Sequence, residues 1–215
     1  GLTSRPHGFK GDDNVMYITD SRGRNTGALT EYNLETGRST LLASDDKSDV
    51  ADVMIHPTRR EVEAVAFTYD RKQWVVLDES VRGDLDFLAT VADGEVEVVS
   101  RTHADDRWMV AYLLDDSSVR YYLYDRSSKR ADFLFSNRPD LDDEPLVKMH
   151  PEIVGARDGL EMVCYLSLPA DSTPDGGNRP SAPVPLIIYV HGGPWARDHW
   201  GYDPYHQLLA NRGYA

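Results

Sequence analysis

The chain has 215 residues, of which 40% are hydrophobic and 27% are charged, and its formal net charge is −13. This composition is that of a soluble globular protein with one large domain or parts of two. It contains no apolar run close to the ~18 residues of a membrane-spanning helix, and the negative charge disfavours nucleic acid and anionic membranes as partners, because both require a basic surface.

The acidic residues and the histidines form no metal-binding pattern. The acidic residues cluster in polar segments, where solvated loops explain them better than calcium sites, since no Asp-x-Asp-x-Asp-Gly spacing occurs. His56 and His150 precede prolines, and His199 and His206 straddle a predicted helix start. With no His-Glu-x-x-His motif, the sequence predicts neither a metal nor a cofactor.

Cysteine usage and the first residues bear on the compartment. Cys164 is the only cysteine, and its apolar neighbours favour a buried, inert thiol that forms no internal disulfide. The chain opens at Gly1 without an initiator Met or an apolar signal segment, so we expect it to begin inside a longer protein. The lack of disulfides favours the cytoplasm, with the periplasm as the alternative.

The first two-thirds of the chain contain short strand-like runs separated by polar turns. Three runs rich in β-branched and aromatic residues start about 46 residues apart, at 15–20, 62–70 and 108–116. A second set recurs on nearly the same period, at 31–34, 75–78 and 123–126. A repeat of ~40–50 residues with several strands per unit is typical of β-propeller blades.

These repeats predict a partial β-propeller. About three blades fit into residues 1–144, whereas a closed propeller has at least about four, so we expect this segment to be the last part of such a domain. Residues 79–91 have apolar residues at helical spacing, which predicts a short helix inserted into the middle blade. A β-sandwich of unrelated strands is the alternative, and the repeated period disfavours it.

The pattern changes after an acidic, proline-containing segment at 137–144, which is the predicted linker. Residues 152–168 indicate two strands joined by an Asp158-Gly159 turn, and residues 171–183 indicate a surface loop. Residues 186–190 (LIIYV) form an unbroken apolar run, which predicts a strand buried on both faces of a parallel sheet.

The apolar run ends at His191-Gly192-Gly193-Pro194, and a helix is predicted beyond this turn. Glycines allow a sharp turn and expose backbone amides, which can stabilise an oxyanion during acyl transfer. The helix start signal is Asp203 at the N-cap followed by a proline, and a glycine at 213 ends the helix. Its predicted apolar face consists of Tyr205, Leu208 and Leu209.

Five motifs now carry a family resemblance: ARDG at 156–159, YLSLP at 165–169, HGGPWARD at 191–198, WGYDP at 200–204 and LANRGYA at 209–215. In this order they resemble the prolyl oligopeptidase family of serine peptidases, above all its acylaminoacyl-peptidase and dipeptidyl-aminopeptidase-like branch. The motifs cover residues 152–215, and the upstream blade repeats are consistent with the same family.

The resemblance implies a β-propeller at 1–144 followed by the start of an α/β-hydrolase domain at 145–215. It implies hydrolysis of short peptides by a Ser-Asp-His triad, with the propeller restricting access. In the family a glycine amide of the His-Gly-Gly-Pro turn helps to form the oxyanion hole, a role that carries over to Gly193, with Gly192 as the second candidate. The substrate-cleft candidates are His191, which is also predicted to shape the turn by hydrogen bonding, and Trp195 and Arg197, for which packing against the propeller is the alternative.

The triad itself is not visible, because Gly-x-Ser-x-Gly occurs nowhere in the 215 residues. We therefore expect the chain alone to hydrolyse nothing and to take no serine-directed fluorophosphonate label. The remainder of the hydrolase domain, as a missing segment or another chain, is a predicted partner, since the sheet would otherwise expose apolar edges. A homo-oligomer is a further option.

Two other functions stay open. A carboxylesterase of the α/β-hydrolase type would use the same glycine turn, although esterases usually lack a propeller. A non-catalytic propeller module would bind proteins, although the apolar run and the glycine turn go beyond what such a module needs.

Overall fold

A computed structural model describes residues 4–11, 14–173, 176–193 and 195–215. The chain divides into two compact units. The first unit comprises Gly1–Ala92, Val98–Val110 and Leu123–Asp132, and the second comprises Asp93–Glu97, Ala111–Tyr122 and Phe133–Ala215.

The first sheet is a meander of four strands: β1 (Arg5–Phe9), β2 (Val15–Asp20), β3 (Ala28–Asn33) and β4 (Ser39–Ala43). Its neighbours pair antiparallel in chain order. The first residues of β3 are buried while most of β4 is exposed, so burial falls from the middle of the sheet to its edge.

The second sheet has three antiparallel strands: β5 (Val50–Ile55), β6 (Val62–Thr68) and β7 (Lys72–Val76). A 3₁₀ turn at Glu79–Val81 and helix α1 (Arg82–Leu88) follow it, which confirms the predicted helical insertion. Asp78 starts this insertion, because its side chain accepts a hydrogen bond from the backbone N of Ser80.

The third sheet contains β8 (Glu95–Arg101), β9 (Arg107–Leu113), β10 (Arg120–Asp125) and β11 (Arg130–Ser136), in the order β11-β10-β9-β8. The predicted runs at 15–20, 62–70 and 108–116 thus fall on β2, β6 and β9. Equivalent turns support the repeat: Arg60 before β6 and Asp105 before β9 both have a left-handed backbone with φ of 56°. Three successive sheets of short strands agree with the predicted partial propeller.

The core of the first unit is built by the inward side chains of these strands. Tyr17, Leu29, Val50, Val65 and Phe67 form one buried cluster. They come from β2, β3, β5 and β6, so the cluster joins the first two sheets. Strands with β-branched and aromatic residues on one face form such a core because alternate side chains point to the same side.

Residues 137–215 contain a hairpin and a helix. A 3₁₀ turn at Pro139–Leu141 lies in the predicted linker, and β12 (Met149–Gly155) then pairs antiparallel with β13 (Glu161–Ser167). Gly159 in the predicted turn has φ of 90°, a conformation that favours glycine. A further 3₁₀ turn occupies Ala170–Ser172, and positions 174–175 of the predicted loop lie outside the described residues.

Helix α2 (Pro204–Asn211) begins and ends where the sequence predicts. The Asp203 side chain accepts hydrogen bonds from the backbone N of Tyr205 and His206, and Gly213 follows the helix with φ of 84°. The predicted apolar face is wrong in part. Tyr205 and Leu208 are 56% and 46% exposed, whereas the residues that α2 buries are Gln207 and Ala210.

The predicted burial of residues 186–190 is also wrong. The segment is not assigned as a strand, and Ile188 and Val190 are 79% and 73% exposed. Two backbone hydrogen bonds lie at the start of the run: Ile187 N donates to Ala215 O and Ala215 N donates to Pro185 O, both at 2.8 Å. An apolar run is buried only where other layers cover both faces, and local sequence does not supply them.

Candidate active site

The glycine turn that the sequence analysis singled out is exposed at every described position. His191 Nδ1 donates a hydrogen bond of 2.6 Å to Gly192 O, so the ring folds back onto its own turn. This contact agrees with the predicted turn-shaping role of His191. Pro194 lies outside the described residues.

The two glycines leave open space instead of adopting a special backbone conformation. Neither has a φ in the left-handed region. A Cβ at Gly192 would have no atom within 4 Å, and one at Gly193 would meet Trp195 N at an ordinary 3.5 Å. The predicted need for glycine to form a sharp turn is therefore not seen, and what the glycines provide is unobstructed approach to the backbone.

The other candidates follow the turn along the chain. Trp195 is 83% exposed. Arg197 donates from Nε to Asp198 O at 3.1 Å and from Nη2 to the hydroxyl of Tyr165 on β13 at 3.3 Å. Partial burial, together with the positive charge of Arg197, lowers the pKa of His199, which favours its neutral ring.

The structure thus places the five predicted site residues on one exposed segment. The sequence offers no recognisable serine nucleophile beside this segment, because it contains no Gly-x-Ser-x-Gly. A Ser–His contact does exist between Ser167 Oγ and His206 Nδ1 at 3.1 Å. Ser167 is only 5% exposed at the end of β13, so this contact joins β13 to α2 and is shielded from a substrate.

A second cluster of chemically active groups lies in the first unit, and no sequence motif indicated it. The ligand atoms of His56, Glu63 and Asp105 lie within 4.8 Å of one another, and all three residues are buried. Arg101 donates from Nη1 to Glu63 at 2.5 Å and from Nε to Asp105 at 2.6 Å. A guanidinium therefore already neutralises the carboxylates that a metal ion would need.

The remaining contacts make this cluster a structural ion network. Trp108 is fully buried; its Nε1 donates to Asp105 at 2.8 Å, and the guanidinium carbons of Arg101 and Arg126 lie 4.6 and 4.9 Å from its ring centroid. Burial alone would raise the pKa of Asp105, but hydrogen bonds from Arg101 and Trp108 outweigh it and lower that pKa. The sequence feature that comes nearest to indicating this cluster is the repeat. Asp105 and His56 lie in equivalent turns of that repeat, before β9 and β6 respectively.

Among the described residues, no helix is long and apolar enough to cross a membrane. Cys164 on β13 is free and half-buried, so it is less enclosed than predicted.

Two sequence relatives align with this chain over nearly its whole length. It is 44% identical over 214 residues to dipeptidyl aminopeptidase BIII of Pseudoxanthomonas mexicana, an alignment covering 100% of this chain and 31% of that protein. It is 32% identical over 226 residues to dipeptidyl peptidase family member 6 of Caenorhabditis elegans, covering 98% and 30%. The chain thus spans about a third of the length of these relatives. No family model matches it.

Solved structures share the fold at low identity. The puromycin-hydrolyzing peptidase of Mycobacterium tuberculosis matches 100% of this chain and 33% of its own with a TM-score of 0.65 at 16% identity. The acylaminoacyl peptidase of Pyrococcus horikoshii matches 97% and 31% with a TM-score of 0.56 at 18% identity.

The sequence relatives carry the names dipeptidyl aminopeptidase and dipeptidyl peptidase, and solved structures that share the fold include a prolyl endopeptidase and an acylaminoacyl peptidase. These names match the prolyl oligopeptidase family that the motifs at 156–215 resemble.

Proposed function

We propose that this chain is part of a serine peptidase that removes dipeptides from the N-termini of short peptides. The observation that carries the proposal is the 44% identity to a dipeptidyl aminopeptidase over 214 residues, an alignment that covers 100% of this chain and so includes the glycine turn. An acylaminoacyl peptidase is the neighbouring alternative, because a protein of that name shares the fold. The chemistry is acyl transfer by a Ser-Asp-His triad outside these residues.

Within this function, the chain contributes the propeller gate and one wall of the active site. We propose that the backbone amide of Gly193, with Gly192 as the second candidate, donates to the oxyanion of the tetrahedral intermediate. The open space around both α carbons supports this role, because a peptide carbonyl could approach either amide without meeting a side chain. Trp195 and Arg197 are proposed to line the cleft, which their exposure and position next to the turn support.

The domain assignment is part of the same proposal: residues 1–144 form propeller blades and residues 145–215 begin an α/β-hydrolase domain. The hydrogen bonds of Ala215 support the second half. Ala215 donates to Pro185 O and accepts from Ile187 N, which is the bonding pattern of a parallel bridge opposite Leu186. Helix α2 lies between the two segments in the chain, so strand, helix and strand follow as in a βαβ unit.

The proposed partners are a short peptide and the remainder of the hydrolase domain, with a homo-oligomer as a further state. The exposed apolar side chains of residues 186–190 support the second partner, because an uncovered surface of this kind is costly in water. We propose a cytoplasmic location, with the periplasm as the alternative, on the ground that the only cysteine is free.

Substrate panels on the full-length protein test the function. Dipeptidyl anilides with a free N-terminus, acylaminoacyl anilides and simple p-nitrophenyl esters are compared, together with stoichiometric labelling by a fluorophosphonate. We expect preferential cleavage of dipeptidyl anilides and one label per chain, outside the 215 residues. Hydrolysis of esters alone would favour the carboxylesterase, and the absence of both turnover and label would favour a non-catalytic binding module.

A further inference from the structure

A buried polar junction fixes the segment that follows the glycine turn. It lies in the second unit and consists of Asp115, Met149, Trp200 and Gln207, which are 2%, 4%, 5% and 9% exposed. Asp115 belongs to the loop between β9 and β10, Met149 begins β12, Trp200 precedes α2, and Gln207 lies within α2. Three distant stretches of sequence, around residues 115, 149 and 200–207, thus meet at one enclosed point.

The side-chain amide of Gln207 bonds to backbone at both of its ends. Its Nε2 donates to Val147 O at 2.8 Å and to Asp115 O at 3.2 Å, while its Oε1 accepts from Val147 N at 2.9 Å. The amide therefore pairs with the backbone of Val147 as a neighbouring strand would. A longer, shorter or apolar side chain at this position would leave buried backbone groups without these partners.

The other members complete the junction. Asp115 Oδ2 accepts from Met149 N at 2.8 Å, and Trp200 Nε1 donates to Met149 O at 2.7 Å. Tyr202 N donates to Leu114 O at 2.8 Å. The segment between the glycine turn and α2 is thus bonded at residues 200 and 202, and α2 itself at residue 207.

Buried hydrogen bonds of this kind fix position closely. Each one depends on the donor–acceptor distance and angle, and is satisfied at one register only. The exposed face of α2, with Tyr205 and Leu208, takes no part in this junction. Together with the contacts of Arg197 and His206 to β13, the β9–β10 loop and residues 147–149 therefore hold the chain on the C-terminal side of the turn.

We propose that Gln207, Asp115 and Trp200 are positioning residues for the oxyanion hole. They hold the chain that follows residues 191–193, so that the turn amides stand where the reacting carbonyl develops its charge. The inference rests on the proposed function and deepens it, because it makes the loop between two blade strands a support of the peptidase site. Small displacements of an oxyanion donor are costly in rate, since the stabilisation depends on its distance and direction.

The test is Gln207→Met in the full-length protein, which keeps the side-chain length and removes the amide. We expect kcat for a dipeptidyl anilide to fall about tenfold or more, less than the ~100-fold or greater loss on deleting an oxyanion donor, with KM changed less than about twofold. The inhibition constant of a peptide aldehyde should rise in the same proportion, because its hemiacetal oxygen occupies the oxyanion hole. Binding of the dipeptide product should not change.

Asn211→Ala is the matched control, since Asn211 is exposed at the end of the same helix. It should alter neither kcat nor aldehyde inhibition. If Gln207→Met does not accumulate as folded protein, Trp200→Phe gives the same test, because it removes the Nε1 donor to Met149 O while keeping an aromatic ring at this position, and it should show the same pattern.

Four results would overturn the inference. A lowered melting temperature with unchanged kcat and unchanged aldehyde inhibition would leave the junction a purely structural role. A change in KM alone would indicate substrate binding instead of oxyanion positioning. A wild-type protein inert toward every anilide would overturn the proposed function and this inference with it, whereas an active wild type beside an equally active Gln207→Met overturns this inference alone.

Discussion

Asp84 holds the inserted helix α1 to the third sheet, and replacing it by Asn tests whether this attachment is electrostatic. Its side chain is 3% exposed. It accepts from the Tyr124 hydroxyl at 2.7 Å, from Arg126 Nη2 and Nε at 2.7 and 3.0 Å, and from Lys129 Nζ at 2.5 Å. Asp84→Asn keeps the shape and removes the charge that these donors share.

The expected loss of stability follows from the interaction with the carboxylate that each donor loses. Breaking a buried ion pair costs about 3–5 kcal/mol. Lys129 is 44% exposed and can turn to water, and Arg126 keeps its ion pair with Asp105, so the lower end of that range applies. Tyr124 keeps an acceptor in the Asn oxygen. We therefore expect a loss of about 3 kcal/mol, which corresponds to a ~100-fold change in a local opening equilibrium.

Amide hydrogen exchange in the full-length protein measures this opening locally. Backbone amides of β9 and β10 near Trp108 and Tyr124 should exchange ~100-fold faster in Asp84→Asn. Glu79→Gln is the control, because Glu79 pairs with Arg82 in the same helical insertion but on the surface, and it should leave exchange unchanged. Equal protection in the wild type and Asp84→Asn would refute the electrostatic account.

The same attachment predicts a pH dependence. Burial by itself would raise the pKa of Asp84, but hydrogen bonds from Arg126, Lys129 and Tyr124 outweigh it and lower that pKa below its ordinary value. The stabilisation is therefore complete above about pH 4, the ordinary pKa of an Asp, and is lost as pH falls through the lower folded pKa. Wild-type protection of β10 should decline in that acid range, and Asp84→Asn should remove the decline.

Two further substitutions test packing and capping by the same exchange measurement. Gly94→Ala would place a Cβ 2.6 Å from Leu113 O and should weaken protection of β8 and β9 by about 1–3 kcal/mol, whereas Gly155→Ala, whose Cβ would meet nothing within 4 Å, should change little. Asp203→Ala removes the acceptor of two backbone amides at the start of α2 and should cost about 0.5–2 kcal/mol locally, while Asp203→Asn, which keeps an acceptor, should restore most of it. Equal effects of the two glycine variants, or of the two Asp203 variants, would contradict these explanations.

Local sequence was sufficient for most of the elements. The repeat of about 46 residues identified β2, β6 and β9, and the helical spacing in residues 79–91 identified α1, because strand and helix periodicities are properties of short segments. The cap at Asp203 was predictable for the same reason, since its hydrogen bonds reach only two and three residues along the chain. The motifs at 156–215 also identified the family, which the named relatives confirm.

The sequence did not predict which residues are buried at two places next to the candidate active site. The apolar run at 186–190 is exposed, and α2 buries Gln207 while exposing Leu208. An apolar surface is expected to be buried, but which apolar surface is buried depends on its contacts with the rest of the chain. Gln207 gave no signal, because an amide that bonds to the backbone of Val147 looks in sequence like any polar helix residue.

The sequence by itself thus determined most of the strands, the two helices, the caps of α2 and the family resemblance, because each rests on neighbours in the chain or on motifs in a fixed order. It also predicted an oxyanion-hole role within residues 191–193, and that role stays a prediction. Only the tertiary structure showed that Asp105 is held by Arg101, Arg126 and Trp108, and that Gln207 meets Asp115 and Val147. These contacts join residues up to 92 positions apart, and no local pattern encodes such a meeting.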